Sequence, residues 1–360
     1  MTATAPTVRS IGLNPTKVWG MTSTERLRRI AAAQKLPFGE ASEGPTLLVA
    51  ASHVFEQAWL KFMLARPGEV LTLGGEKVMA HVPGPADAFP DGLVEVRAED
   101  HREFYNVALR KREEPVLEKL EPANVRSIER KTYFGAYKGV TDILTKYLWP
   151  EWALVLTRIA ARLHMTPNMI TGLGAALCVW ATLLFWDGYF WTGMLAGLGF
   201  MVLDTVDGKL ARCTITSSWW GNIFDHGLDL VHPPFWWWAW GVGLGAWGLG
   251  LPDETFAAVM ITIVGGYVVQ RIIEGIFMRR YGGIHIHVWE KIDSDFRLIT
   301  ARRNPNMVIL FFATLAQRPD IGLIAVAWWT VLSCIFHAVR LVQALRRHAR
   351  GEAITSWLAV

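Results

Sequence analysis

Four aspartates, Asp204, Asp207, Asp225 and Asp229, stand within the stretch MVLDTVDGKLARCTITSSWWGNIFDHGLD, at the ends of two otherwise apolar segments. An isolated Asp at the centre of a membrane helix costs roughly 2.5 to 3.5 kcal/mol even on the most lenient scale, so four together call for compensating cations. Helical spacing sorts them into pairs. The i,i+3 interval sets Asp204 and Asp207 on one face, and i,i+4 does the same for Asp225 and Asp229 on the next helix. All-oxygen donors select hard cations, so Mg²⁺ or Mn²⁺ is expected rather than zinc. Gly208, Ala211 and Gly221 leave room for a ligand to approach the backbone, and Arg212 adds a fixed positive charge.

As a pattern, the stretch is D-x-x-D-G-x-x-A-R, eight residues, then G-x-x-x-D-x-x-x-D, with every position filled. It resembles the signature of the CDP-alcohol phosphotransferase family, and the resemblance extends over roughly residues 138 to 345. That resemblance implies a membrane enzyme of phospholipid biosynthesis. Such an enzyme transfers a substituted phosphate from a CDP-linked donor to the hydroxyl of a polar alcohol and releases CMP. It assigns Asp204, Asp207 and Asp225 to metal ligation and makes Asp229 both general base and second-metal ligand, with two Mg²⁺ or Mn²⁺ ions at the site. It assigns Gly208, Ala211 and Arg212 to CDP binding, with Gly221 joining them through close packing. The element MTPNMIT resembles the T-P-N element that begins the first membrane helix in this family. Asn168 and Thr171 either line the nucleotide pocket or serve only the helix start.

Among donors, CDP-diacylglycerol is the first expectation, with a water-soluble and phosphorylated acceptor, because cytoplasmic arginines suit an anionic alcohol. A CDP-linked polar alcohol such as CDP-inositol is the alternative. A membrane scaffold or metal transporter would use the same carboxylates, but cation passage does not require Gly208, Ala211, Arg212 and Gly221. Homodimers are common in the resembled family, and one is expected here.

Composition sets the wider frame. A chain of 360 residues, 52% hydrophobic with 18 Trp, points to a membrane protein of more than one domain. The first 150 residues are mixed and charged, and long apolar runs such as MITGLGAALCVWATLLFW follow. The expected fold is therefore an α-helical integral membrane domain of six transmembrane helices behind a small cytoplasmic α/β domain. The boundaries are 1–130 for the α/β domain with its charged connector and 131–350 for the membrane domain. The net charge of +4 does not signal nucleic acid, because the basic residues concentrate beside apolar spans, where topology and anionic membrane lipid account for them. Three cysteines lack metal-ligand spacing. The first 20 residues lack the apolar core of a secretory signal, so the amino terminus is expected to stay cytoplasmic.

Along the chain, residues 22 to 33 predict a helix capped by Thr22 or Ser23. TLLVAA predicts a buried strand, HVFEQAWLKFML an amphipathic helix, and EVLTL and KVMAHV two strands around a Gly74-Gly75 turn. This unit loosely resembles the nucleotidyltransferase-like domain fused ahead of some members of the family, including inositol-phosphate-transferring ones. It is a degenerate version, without a Gly-rich phosphate loop. HREFYNVALRKREEPVLEKL predicts a charged helix interrupted at Pro115. Residues 137 to 164, with Trp149, Trp152, Lys138, Lys146, Arg158 and Arg162, predict an interfacial helix.

Membrane helices are expected at about 167–186, 189–212, 221–249, 255–277, 305–317 and 320–344. Lys209, Arg212, the 279–303 segment and the 340–350 tail all fall on one side, which places the site and both termini in the cytoplasm of a bacterial inner membrane. Arg271 and Glu274 either satisfy each other or leave Arg271 for an anionic substrate. His285 and His287, at i,i+2, would not share a helix face, so a zinc site is not expected from them.

Overall fold

The computed structural model describes residues 5–40, 43–101 and 103–359. They divide into two compact units. The first holds Met1–Tyr137, Leu154–Thr166 and Gly208–Ser217; the second holds Lys138–Ala153, Pro167–Asp207 and Ser218–Val360.

The first unit runs β1 (Thr7–Ile11), β2 (Lys17–Val18), β3 (Met21–Thr22), α1 (Ser23–Ala33), β4 (Thr46–Ala50), β5 (His53–Phe55), α2 (Gln57–Leu64), β6 (Glu69–Leu73), β7 (Glu76–Val82), β8 (Val94–Arg97), β9 (Phe104–Asn106), β10 (Lys111–Glu113), β11 (Leu117–Lys119) and α3 (Val125–Gly135). Its main sheet has the order β1-β4-β7-β6-β8. β1 pairs parallel with β4 and β8 parallel with β6, while β7 is antiparallel to both of its neighbours. The alternation of side chains across β4 explains its unbroken apolar sequence. Leu47 and Val49 join Leu27, Ile30, Trp59, Leu60 and Met63 on the helix-covered face, and Leu48 joins Val70 and Ala80 under Phe89 and Leu93 on the other. Thr22 caps α1 by accepting the Glu25 N–H at 3.3 Å.

Two local expectations need correction. HVFEQAWLKFML is a strand and then a helix, because residues 53–55 pair antiparallel with β11 before α2 begins. Among its described residues, the charged segment after residue 100 forms no helix. It makes the β9–β10 hairpin, in which Asn106 Oδ1 accepts the Leu109 N–H at 2.9 Å and Arg110 takes φ +53°. Asn is suited to such turns, and burial of Phe104 edge-on against Trp59, with ring centroids 5.1 Å apart, holds the strand inward. Packing and turn chemistry outweigh the helix propensity of the surrounding Glu, Lys and Arg.

The second unit contains α4 (Ile143–Tyr147), α6 (Pro167–Trp186), α8 (Trp219–Gly243), α9 (Asp253–Arg280), α10 (Lys291–Arg297), α11 (Arg303–Leu315) and α12 (Pro319–Ala349). Two further helices, α5 (Pro150–Arg162) and α7 (Phe190–Cys213), begin in this unit and end in the first. Among the described residues, three helices, α6, α9 and α12, are long and apolar enough to cross a membrane. α7 and α8 have the length, at 24 and 25 residues, but carry the aspartates. α11 has only 13 residues, about 20 Å of helix.

α6 packs against α8, and α12 against both α9 and α11. Pro233 and Pro234 lie inside α8, which continues through them to bury Trp236 and Trp240. Trp240 stacks on Phe190 at 4.1 Å, and Trp236 donates its indole N–H to the Cys178 carbonyl at 3.2 Å. Trp149, expected at an interface, is fully buried and donates to Thr205 Oγ1 at 3.0 Å, whereas Trp152 is exposed. The end of α8 meets the end of α6 backbone to backbone: a Cβ on Gly243 would lie 2.0 Å from the Phe185 carbonyl oxygen and 2.9 Å from Gly188 N. Gly243→Ala is therefore expected to destabilise the helical unit by about 3 kcal/mol, the upper part of the overpacking range, because backbone cannot rotate away. Thermal unfolding in detergent measures it; an unchanged midpoint would mean that the two helix ends separate freely.

Candidate active site

α7 and α8 bring three of the four expected aspartates together. Carboxylate oxygens of Asp204, Asp225 and Asp229 all lie within 4.8 Å of one another. Asp204 sits on α7, and Asp225 and Asp229 are one turn apart on α8, as their i,i+4 spacing requires. α8 starts where it does because Ser218 Oγ accepts the Gly221 N–H at 3.0 Å, an N-cap that sequence reading passed over. The three carboxylates differ in access: the side chains are 17, 28 and 46% exposed for Asp204, Asp225 and Asp229. Asp229 is the most exposed of the three.

Asp207 stands outside this group. It is buried on α7 and accepts the Thr171 hydroxyl at 2.5 Å. Thr171 Oγ1 also lies 3.1 Å from the Pro167 carbonyl one turn earlier in α6, so its one hydroxyl proton is shared between the helix backbone and Asp207. Asn168 lies close to Gly221: a Cβ on Gly221 would fall 2.7 Å from Asn168 Oδ1 and 3.0 Å from Ser218 Oγ. A larger residue here would require the Asn168 and Ser218 side-chain ends to shift. Gly208, Ala211 and Arg212 belong to the first unit, where Arg212 Nε and Lys209 Nζ both donate to the Ala136 carbonyl, at 3.1 and 2.9 Å. Lys209, read from sequence only as a topology marker, is buried and lies 3.2 Å from the centre of the Tyr137 ring.

The residue that sequence reasoning placed least sharply is Arg303. Its Nη1 donates to Asp229 Oδ1 at 2.7 Å and its Nη2 to Asp204 Oδ2 at 2.9 Å, joining the two helices through one guanidinium. It also lies over the Phe200 ring at 4.8 Å. Arg303 is 99 residues from Asp204, so no local pattern links them. The neighbouring positions behave alike. Asn304 Nδ2 donates to Asp142 Oδ1 at 3.0 Å, and Arg302 donates to Glu274. Asp142 is itself the N-cap of α4, accepting the Thr145 N–H at 3.0 Å.

Glu274 is the centre of a second buried cluster. Arg271 donates to it at 3.2 Å, and His287 Nε2 and His285 Nε2 approach it at 3.4 and 4.0 Å. The Arg271–Glu274 pairing expected from spacing is present. His285 and His287 come together, with rings stacked 4.7 Å apart, because they lie on a short 3₁₀ turn rather than an α-helix. Their oxygen and nitrogen atoms have a spacing that would admit a cation. Arg302 takes that role here, donating to Glu274 and, at 3.2 Å, to His287 Nε2.

The Thr171–Asp207 bond fixes the orientation of a carboxylate one turn from Asp204. Partners of this kind typically change metal affinity by about 10- to 100-fold, so Thr171→Val is expected to weaken Mn²⁺ binding about tenfold. A titration followed by electron paramagnetic resonance measures it, and full affinity in a folded variant would show that Asp207 plays no part in ion binding.

Residues 164–301 match the sequence profile described as CDP-alcohol phosphatidyltransferase. Cholinephosphotransferase 1 of Bos taurus is 36% identical over 131 residues, which are 33% of this chain and 31% of that protein. The chain thus spans about a third of the length of the cholinephosphotransferases it matches. Archaetidylinositol phosphate synthase of Pyrococcus horikoshii is 29% identical over 194 residues, 53% of this chain and 89% of that one. A solved structure, phosphatidylinositol phosphate synthase of Mycobacterium tuberculosis with CDP-DAG bound, aligns at 16% identity and a TM-score of 0.41, over 52% of this chain and 92% of that one. The matched segment, residues 164–301, includes Asp204, Asp207, Asp225 and Asp229.

Proposed function

We propose that this chain is an integral membrane CDP-alcohol phosphotransferase that moves a substituted phosphate from a CDP-linked donor to a polar alcohol. The observation that carries this reading is the convergence of Asp204, Asp225 and Asp229 from two helices within the matched segment. Their chemistry fits a hard divalent cation. Three carboxylates offer oxygens within 4.8 Å of one another, an all-oxygen donor set of the kind a hard divalent cation takes. Asp204, Asp225 and Asp229 would hold the ions together with Asp207, oriented by Thr171. Bound there, two ions supply charge neutralisation at the diphosphate and polarise the attacking and departing oxygens.

The remaining steps belong to the side chains. The acceptor oxygen forms a bond to the phosphorus distal to cytidine, the bond from that phosphorus to the bridging oxygen breaks, and CMP departs with the electron pair. The acceptor proton passes to Asp229, the most exposed of the three carboxylates. Gly221 allows the α8 start to lie close to Asn168, which leaves both available to the nucleotide, and Gly208, Ala211 and Arg212 complete the CDP-binding set. Holding donor and acceptor between helices removes much of the orientational entropy of the reaction.

CDP-diacylglycerol with an anionic acceptor is the first choice of substrates, supported by Arg271, Arg302 and Arg303 clustered near α11 and α9. The cholinephosphotransferase relatives favour a second reading, in which the donor is a CDP-linked polar alcohol. Six membrane spans are proposed for α6, α7, α8, α9, α11 and α12, with the carboxylates of α7 and α8 facing protein rather than lipid. The site and both termini are placed on the cytoplasmic side of a bacterial inner membrane.

The deciding assay incubates purified protein with Mg²⁺, a CDP-linked donor and a panel of polar alcohols, and follows CMP release and lipid product. CMP release from CDP-diacylglycerol that depends on the acceptor supports the first choice. Release only from a CDP-linked polar alcohol supports the second, and metal flux without either reaction would return the chain to the transporter class. Asp229→Asn is expected to lower kcat at least about a hundredfold while donor binding is kept, because the amide retains shape but accepts no proton. Asp204→Ala and Asp225→Ala are each expected to weaken Mn²⁺ and donor binding together, measured by calorimetry. Tight donor binding in chelator would remove the shared-metal mechanism.

A further inference from the structure

Three consecutive residues at the start of α11 each donate to a different acid: Arg302 to Glu274, Arg303 to Asp204 and Asp229, and Asn304 to Asp142. Glu274 and Asp142 are buried, at 3 and 6% exposure, and each is held by further donors of its own. The backbone on either side of Arg303 is therefore pinned, while Arg303 reaches into the aspartate group. Its two bonds go to two of the three carboxylates whose oxygens lie within 4.8 Å of one another. A guanidinium and a divalent ion sharing those carboxylates would sit a few ångströms apart, where like charges repel strongly and solvent screens poorly.

We propose that Arg303 is a tethered cation that competes with the divalent ion for Asp204 and Asp229, so that ion entry displaces the guanidinium from at least one of them. Glu274, acting through Arg302, keeps the displaced side chain within reach. The inference rests on the aspartates being the metal centre. Its consequence is that the free protein binds metal more weakly than its carboxylates alone would, by the fraction of molecules in which Arg303 holds them. By linkage, the ion loosens Arg303 by the same factor that Arg303 weakens the ion.

Full-length protein in detergent, free of nucleotide, is titrated with Mn²⁺ and followed by electron paramagnetic resonance. Arg303→Gln is expected to bind Mn²⁺ about tenfold more tightly than the unaltered protein, while Arg303→Lys, which keeps the charge, stays within about threefold of it. A second measurement needs no variant. Modification of Arg303 by phenylglyoxal, mapped by mass spectrometry, is expected to speed up several-fold when Mn²⁺ is added. Equal or weaker Mn²⁺ binding by a folded Arg303→Gln, or Arg303 reactivity that Mn²⁺ leaves unchanged or slows, would overturn the proposal. Failure of Mn²⁺ to bind either protein would instead overturn the metal-centre reading, and the competition with it.

Discussion

The bonds from Arg303 to Asp204 and Asp229 meet a constraint on which the helical unit depends. Carboxylates removed from water must be matched by positive charge and filled hydrogen bonds. α7 and α8 cannot approach each other with Asp204, Asp225 and Asp229 unmatched, since the three repel at the distances seen here. One guanidinium from the start of α11 lets them close. The same device recurs at Glu274, held by Arg271 and Arg302, and at Asp293 on α10, which accepts from the buried Arg340 of α12 at 2.6 and 2.9 Å. Arg303 with Asp204 and Asp229, Arg302 with Glu274, and Arg340 with Asp293 each join elements distant in the chain, whereas Arg271 and Glu274 share α9, so these acids also set how the helices are arranged.

Rigid apolar packing supports this polar layer. Trp149 fills the space behind α7 and holds Thr205, the residue after Asp204, by its indole N–H. Phe200, one turn before Asp204, carries the Arg303 guanidinium on its ring and meets Trp236 and His232 edge-on at 5.8 and 4.9 Å. A site on helices whose neighbouring rotamers are fixed in this way is held more closely than one built on loops.

The carboxylate group was legible in part because it is local. Asp204, Asp225 and Asp229 lie in a 26-residue stretch, and the spacing of four between Asp225 and Asp229 reports a shared helix face without knowledge of the fold. The helix limits followed for a similar reason, since apolar runs end at Asp187-Gly188, Pro252 and Pro319. What could not be read depends on tertiary closure. Arg303 carried the same marks as any arginine beside a membrane span, and nothing in HIHVWEK indicates a 3₁₀ turn that would stack His285 on His287. The hairpin at 104–113 was lost differently: its Glu, Lys and Arg content favours a helix in isolation, and only Trp59, 45 residues earlier, gives Phe104 a reason to turn inward.

The last turn of the signature helix has a further consequence. Arg26 of α1, buried, donates to the Cys213 carbonyl at 2.9 Å, and Arg29 donates to the Thr214 carbonyl at the same distance. Residues 208–217 thus fold as part of the amino-terminal unit, which is assembled from three separate stretches of chain. Such a unit is not a cassette. A gene fusion or truncation that cuts once near residue 137 would strip the donors from the end of α7 on one side. On the other it would leave a buried guanidinium without its carbonyl acceptor, at the desolvation cost of an unsatisfied charged group. Swapping this amino-terminal region between relatives would therefore require the 208–217 segment to travel with it, so the two parts of the chain are expected to change together.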